Sequence, residues 1–485
     1  MISTRSIRRK EHNTSGSQHP EKSNLSFVAT VVKPIAVLRR CFSESIGLPF
    51  ARLLPENVLS ETLQAERVSY RKRLFCPIVT LWAWLSQVLE KDKSCKNALS
   101  RVIAYLVASG HDAPSTNTAA YCQARKRLKA NWLLGLVRKT GAELHQTAPP
   151  QWLWCGRRVA VVDGSTLLMA DTPENQREYP QHKTQAKGCG FPIARIVALF
   201  GLSTGAVIEG AIASYKTGEV NLFRPFYPKL QDGDVALGDR IFGSYADICL
   251  LFRSGVDSVF RLHGRRKTDF RTGKRLGHYD HLVLWQKPKQ CPAGLDKASF
   301  GLLPQQVKVR EVRFQVTQKG FRTQQVTLVT TLLDPKTYSK SDLAQLYRFR
   351  WQAEISLRHL KTRMQMEFIT AKTPEMVQKE FYVHLLAYNL ICTVQKEAGQ
   401  QHEVKPTSLS FAATVQHVGI FVTLMAAMPH ERRSQLYSLL LVLVAKEKLP
   451  KRPHRTQPRV KKRRPKSYPW MKKPRQDYRK RGRAA

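Results

Sequence analysis

The chain has 485 residues, 42% of them hydrophobic, and carries 80 Lys and Arg against 36 Asp and Glu, a formal charge of +44. That length allows two or three domains around a sizeable core, and the hydrophobic fraction excludes a disordered chain. The charge exceeds what solubility requires and points to a polyanionic partner.

The polar start, MISTRSIRRKEHNTSGSQHPEKSN, lacks the apolar core of a signal peptide and reads as a flexible arm over residues 1–35. Residues 36–148 are helical in pattern, as in VLSETLQAERVSYRKRL and FCPIVTLWAWLSQVLEK. Within them SGHDAPSTNTAAYCQARKRLKANWL gives a turn, Ser/Thr caps and a helix carrying Arg125, Lys126, Arg127 and Lys129. Its composition resembles the second helix of a helix-turn-helix, with Arg125 and Arg127 as candidate DNA contacts; a surface helix with one basic face is the alternative. TAPPQW at 147–152 reads as a linker.

The pattern changes at RRVAVVDGST. Val159–Val162 is a short apolar run suited to a strand buried on both faces, with Asp163 expected at its C-terminal end. ARIVALFGLSTGAVIEGAIAS reads as a β-hairpin, and YKTGEVNLFRPFYPKL as a helical connection. A second short strand, Val235–Leu237, delivers Asp239 just past its end, and a helix follows over about 244–253. From about 256 to 334 the pattern is β-rich, with VDSVFRLHG, HYDHLVLWQ, VKVREVRFQV and QQVTLVTTLL as strands. Further helices follow over 347–361, in PEMVQKEFYVHLLAYNLICTVQKEA, and within 407–447. The last 35 residues, 451–485, hold 16 Lys or Arg, one Asp and five Pro, the composition of a disordered basic tail.

No apolar run, Leu439–Ala445 included, approaches the roughly 20 residues of a spanning helix, so nucleic acid rather than membrane is the expected polyanion. Nine scattered cysteines without a CxxC pair indicate neither a zinc ribbon nor a disulfide framework. They fit small buried residues in a reducing compartment.

The order strand, hairpin, helix, strand, helix, late helix is that of an RNase H-like α/β core spanning 153–447, interrupted by the β-rich insertion. In that layout Asp163 and Asp239 emerge side by side at the carboxyl edge of the sheet, where open α/β sheets place their sites. A late helix crossing that edge brings Glu354 to the same point. Three converging carboxylates are unfavourable without a cation between them. Hard oxygen ligands suit Mg²⁺ or Mn²⁺, and two such ions support in-line phosphoryl transfer. In YRFRWQAEISLRHLK, Tyr347, Arg350, Glu354 and Lys361 fall within about 60° of one another on a helix turning about 100° per residue. Taken alone, that stripe also fits a solvated salt-bridged face.

These residues carry a resemblance. Tyr347, Arg350, Glu354 and Lys361 match the Tyr-x2-Arg-x3-Glu-x6-Lys signature of the insertion-sequence-four family of bacterial DDE transposases. VVDGST and LGDRIFGS resemble the family's two Asp motifs, and the β-rich insertion and helical N-terminal region match as well. The resemblance covers about 36–447 and implies cut-and-paste transposition of an insertion sequence. Asp163, Asp239 and Glu354 would hold two Mg²⁺ or Mn²⁺ ions. Tyr347, Arg350 and Lys361 would grip phosphates of double-stranded DNA at transposon ends. Also implied are a hairpin step, joining to target DNA, a homodimer on paired ends and a cytoplasmic, nucleoid-associated protein. Trp285 is a candidate for stacking a flipped base; a packed sheet tryptophan is its alternative. Another RNase H-fold nuclease, or a decayed DNA-binding relative, remain the alternatives for the whole chain.

Overall fold

The structure, a computed structural model, describes residues 54–71, 73–108, 110–316, 324–428, 430–450, 470–474 and 476–478. The arm expected over 1–35, and all of the expected basic tail except the two short pieces at 470–474 and 476–478, lie outside them.

Among the described residues five helices come first: α1 Glu56–Ala65, α2 Pro77–Leu89, α3 Cys95–Ala108, α4 Ala119–Arg127 and α5 Ala130–Gln146. Pro77 opens α2 at a position where a missing N–H costs nothing, and most of the helix is buried. Helix α5 lies directly on the sheet. A Cβ at its Gly141 would overlap the Val207 carbonyl oxygen, so only glycine admits so close an approach.

The sheet contains β1 Val159–Met169, β2 Ile193–Gly201 and β3 Val207–Ser214; then, after the short helix α6 Glu219–Phe223, β4 Val235–Gly238. Helix α7 Tyr245–Arg253 leads to β5 Asp257–Arg261, and β6 Lys274–Gly277, β7 Asp280–Gln286, β8 Gln306–Val316 and β9 Gln324–Thr330 follow. Their spatial order is β3-β2-β1-β4-β5-β9-β8-β7-β6. Strand β4 is parallel to β1 and to β5, whereas β2 is antiparallel to β1.

Two expectations change. Strand β1 does not end at Val162 but continues through Asp163 to Met169, because β2 pairs with it as far as Leu168↔Ile193. The Asp-Gly pair, a turn signal in isolation, is overridden by that ladder. The β-rich segment expected as an insertion from about 256 also supplies strands to the main sheet. Its first strand, β5, is a parallel neighbour of β4, and β9 pairs antiparallel with β5 to extend the same sheet.

After β9 come α8 Lys340–Phe349, closed by a capping box between Ser339 and Asp342, and α9 Trp351–Arg358. A π-helical turn, His359–Arg363, leads to a two-residue strand, β10 Phe368–Ile369, parallel to the far end of β1. The single helix expected over 347–361 is therefore interrupted at Arg350 and loosened after Arg358. The 28-residue helix α10 Pro374–Gln401 is almost wholly buried, and α11 Phe411–Ala427 and α12 His430–Lys446 pack on it. Asn389 of α10 ties three elements together: it accepts from Val207 N–H at 2.8 Å and donates to the Val207 carbonyl at 2.9 Å and to Thr140 Oγ1 at 3.0 Å. Alternation along β1 feeds two apolar clusters, Val159 and Val161 into one and Ala160 and Val162 into the other, so both faces of the sheet are covered.

Candidate active site

The parallel register of β1 and β4 runs Val159↔Val235, Ala160↔Ala236, Val161↔Leu237. Two residues further along each strand stand Asp163 and Asp239. Parallel pairing keeps residues of equal register on one face, so the two acids arise at the same level where the strands separate. Among the described residues neither has a salt-bridge partner. Asp163 Oδ1 accepts the Gly164 N–H at 3.0 Å, and Asp239 Oδ1 accepts the Arg240 N–H at 2.7 Å.

Helix α9 packs against β1 and supplies Glu354. Its Oε1 accepts from Arg350 Nη2 at 2.7 Å, the i, i+4 pair expected from spacing. The pair is not merely a solvated face: the Arg350 side chain is 13% exposed, and its charge also reaches Asp163. Burial works against the Arg350 charge, yet Glu354, Tyr347 and Asp163 hold its pKa above the ordinary value. Arg350 Nε is buried and has no hydrogen-bond partner. Tyr347, on the last turn of α8, has its ring 5.9 Å from the Arg350 guanidinium. Burial raises the Tyr347 hydroxyl, with Arg350 lowering it and Asp239 raising it. Lys361 sits on the π-helical turn and donates from Nζ to Ser165 Oγ at 3.1 Å, two residues beyond Asp163. The four signature residues thus remain together although the helix carrying them is broken. π-Helical turns are frequently found at functional sites.

Burial pushes the Asp163 carboxyl up to about 6; Gly164 and Arg350 oppose that rise, while Glu354 and Glu219 add to it. Glu219 is the residue that sequence reasoning misses. It opens α6, and its carboxylate fills the space a side chain at 164 would take: a Cβ there would stand 2.7 Å from Oε2. The available signal is Thr-Gly-Glu at the start of the polar connection, too common a helix start to single out.

Two candidates are corrected. Arg125 is 8% exposed and faces inward: its guanidinium lies 4.2 Å from the Trp84 ring centroid and donates to Cys95 Sγ at 3.1 Å. It is held in the helical core, and no face of it is offered to DNA. Trp285 is 3% exposed, donates from Nε1 to Glu311 at 2.8 Å and is covered by Arg266 at 3.7 Å, so no base reaches its ring. It is the packed sheet tryptophan. Arg127 is exposed and lines a basic cavity with Tyr70, Arg71 and Arg73.

Among the described residues no three His, Cys, Asp or Glu side chains stand close enough together to hold an ion as they are. The donor chemistry nevertheless fits one. The acids at β1 and β4 are hard oxygen donors without a paired cation, and burial among like charges keeps Asp163 reluctant to ionise. That is the imbalance a divalent cation relieves. Among the described residues no helix is long and apolar enough to cross a membrane.

Residues 154–390 match the family model described as "Transposase DDE domain". The chain is 28% identical over 419 residues to the transposase InsG for insertion sequence element IS4 of Escherichia coli K12, covering 86% of this chain and 91% of that protein. It is 36% identical over 64 residues to the Escherichia coli transposase for insertion sequence element IS421, covering 13% of this chain and 17% of that one. A piggyBac transposase synaptic complex with hairpin DNA is similar at a TM-score of 0.41 and 9% identity, over 84% of this chain and 85% of that one.

Proposed function

This chain belongs to the bacterial insertion-sequence DDE transposases of the IS4 family, and from that premise we propose that Asp163, Asp239 and Glu354 form its DNA-cleaving and DNA-joining centre. The observation that carries the reading is the shared register of Asp163 and Asp239, with Glu354 brought to the same edge by α9. The strand order β3-β2-β1-β4-β5, with β2 and β3 antiparallel to their neighbours and β4 and β5 parallel, supports an RNase H-like core.

The three carboxylates would hold two Mg²⁺ or Mn²⁺ ions. When bound, these supply activation of an attacking oxygen and stabilisation of the leaving one. Asp163, within β1, and Asp239, just past the end of β4, present oxygens from a rigid sheet, which fixes the geometry of attack. Arg350 holds Glu354 in place before DNA arrives and adds a positive charge for the phosphates at the same edge. Lys361, anchored at Ser165, places a second positive charge along the same edge. Tyr347 positions the Arg350 side chain beneath the DNA backbone.

The reaction begins with hydrolysis: water attacks the phosphorus at the transposon end, the P–O3′ bond breaks, and the strand ends as a 3′-OH and a 5′-phosphate. The 3′-OH then attacks the opposite strand in a transesterification that closes a hairpin, with one phosphodiester formed for each one broken. Hydrolysis reopens the hairpin, and the same 3′-OH attacks target DNA. The substrates are double-stranded terminal inverted repeats and target duplex, bound by two subunits on paired ends at the nucleoid. Arg127 and its basic cavity contribute phosphate contacts from the helical region.

Strand joining separates this reading from that of a plain nuclease. Purified chain, Mg²⁺, a duplex ending in the element's inverted repeat and a supercoiled target plasmid should yield covalent end–plasmid joints. Cleavage without joints would leave an RNase H-fold nuclease, and binding without either would leave a DNA-binding protein.

A further inference from the structure

The carboxylate of Glu219 lies in the pleat of β1 at a position that Asp163, Asp239 and Glu354 do not explain. Strand residues 163 and 164 point to opposite faces of the sheet. Gly164 has no side chain, and the Glu219 carboxyl group occupies the gap: a Cβ at 164 would meet its carboxyl carbon at 2.6 Å and its two oxygens at 2.7 and 3.0 Å. A carboxylate from α6 therefore packs directly on the bare face of the strand, at the residue next to Asp163.

Its counter-charge is incomplete. Arg195, on β2, is the ion-pair partner of Glu219, but Nε stands 3.8 Å from Oε1, beyond hydrogen-bond reach. Nη1 of the same guanidinium donates instead to the Thr217 carbonyl at 2.9 Å, which holds the turn leading into α6. Arg195 Nε is buried with no hydrogen-bond partner. Glu219 is also close enough to both strand acids to feel them. Burial raises its pKa, Arg195 lowers it and Asp239 raises it, and Glu219 in turn raises that of Asp163. One loosely set arginine thus faces a carboxylate that lies within electrostatic reach of two others. Like charges so placed need a further cation.

We propose that Glu219 is a fourth acidic member of the cation-holding set, its close approach to β1 allowed by the bare face that Gly164 leaves beside Asp163. This role rests on the assignment of Asp163 and Asp239 to that set. It gives Gly164 a specific purpose: a methyl group there would displace the flexible end of Glu219 while leaving the strand backbone in place.

The test is Mn²⁺ binding to the full chain without DNA, followed by the free-ion electron paramagnetic resonance signal. The parent, Glu219→Gln, Gly164→Ala and Asp163→Asn are compared, with thermal melting to verify folding. Glu219→Gln removes the charge, and Gly164→Ala moves it without removing it, so the second variant decides if the first fails to fold. Both should weaken Mn²⁺ binding by about 10-fold, the lower end of the effect seen when groups supporting a metal site are removed, and Asp163→Asn should weaken it at least as much. Parent-like Mn²⁺ binding by Glu219→Gln and Gly164→Ala, with binding lost in Asp163→Asn, would overturn the role of Glu219 and leave the three-acid centre standing. Parent-like binding by all three variants would overturn the centre itself.

Discussion

The β6–β9 half of the sheet and the carboxyl edge of β1 and β4 treat buried charge in opposite ways. In the β6–β9 half the buried charges are held in hydrogen-bonded pairs. Arg310 donates to both oxygens of Asp280 at 2.8 and 2.6 Å and to the Tyr338 carbonyl at 2.6 Å. Glu311 accepts from Trp285 at 2.8 Å and lies 3.3 Å from His281, whose other ring nitrogen meets the Thr272 carbonyl at 2.7 Å. At the β1–β4 edge, Asp163 accepts one backbone N–H and feels Arg350, while Glu354 and Glu219 stand near it as further negative charges. A closed network satisfies itself and holds a shape. An open one is incomplete until a ligand arrives, and perturbed carboxylates of this kind concentrate at functional sites.

The comparison is broken most severely from the open side. Asp239→Ala and Glu354→Ala should each reduce end cleavage in Mg²⁺ by about 10³-fold or more, as loss of groups acting as one unit does. End binding should persist, since affinity comes mainly from basic groups on phosphates. A gel assay of cleavage beside a binding titration checks both. The closed side should respond in the reverse sense. Arg310→Met strands Asp280 in the interior and should cost about 3–5 kcal/mol of stability, read as a lower denaturation midpoint. Cleavage per folded molecule should be unchanged.

Smaller effects sharpen the boundary between the two regions. Lys361→Ala and Arg350→Ala misplace DNA rather than remove a cation ligand, so cleavage at saturating DNA should fall by about 10–100-fold. Full rates in both variants would return the stripe to the role of a surface salt bridge. Deleting 451–485, which carries 16 of the 80 Lys and Arg, should have the mildest consequence. The slope of log K against log salt should become shallower by about 0.9 for each phosphate the shortened chain no longer neutralises, with the preference for transposon ends over random duplex retained.

Much of the open edge is legible in the sequence because its signals are local. A short apolar run leading to an Asp occurs twice, and a fixed spacing separates Tyr347, Arg350, Glu354 and Lys361. What the sequence hides depends on partners remote along the chain. Strand β1 passes its Asp-Gly because β2 pairs with it, and β5 belongs to the core because β4 lies beside it. Arg125 reads as a DNA contact from its basic neighbours. Only the fold shows Trp84 and Glu380, the latter 4.0 Å away, closing over it. Glu219 is invisible for the same reason, since its meaning comes from the space above Gly164.

The claim that the β1–β4 edge is an open charge site is tested most directly by the stability of Asp163→Asn against pH, without and with Mn²⁺. The folded-state pKa of Asp163 lies at about 6, above the ordinary carboxyl value of 3.8. The stability this raised pKa contributes is therefore complete below pH about 4 and is lost as pH rises through about 6. In metal-free protein at pH 8 the substitution should stabilise the fold, by about 2–3 kcal/mol at most, and the advantage should vanish near pH 4. Mn²⁺ should then raise the melting temperature of the parent far more than that of the variant. A variant that melts with the parent at pH 8 and responds equally to Mn²⁺ would contradict the account.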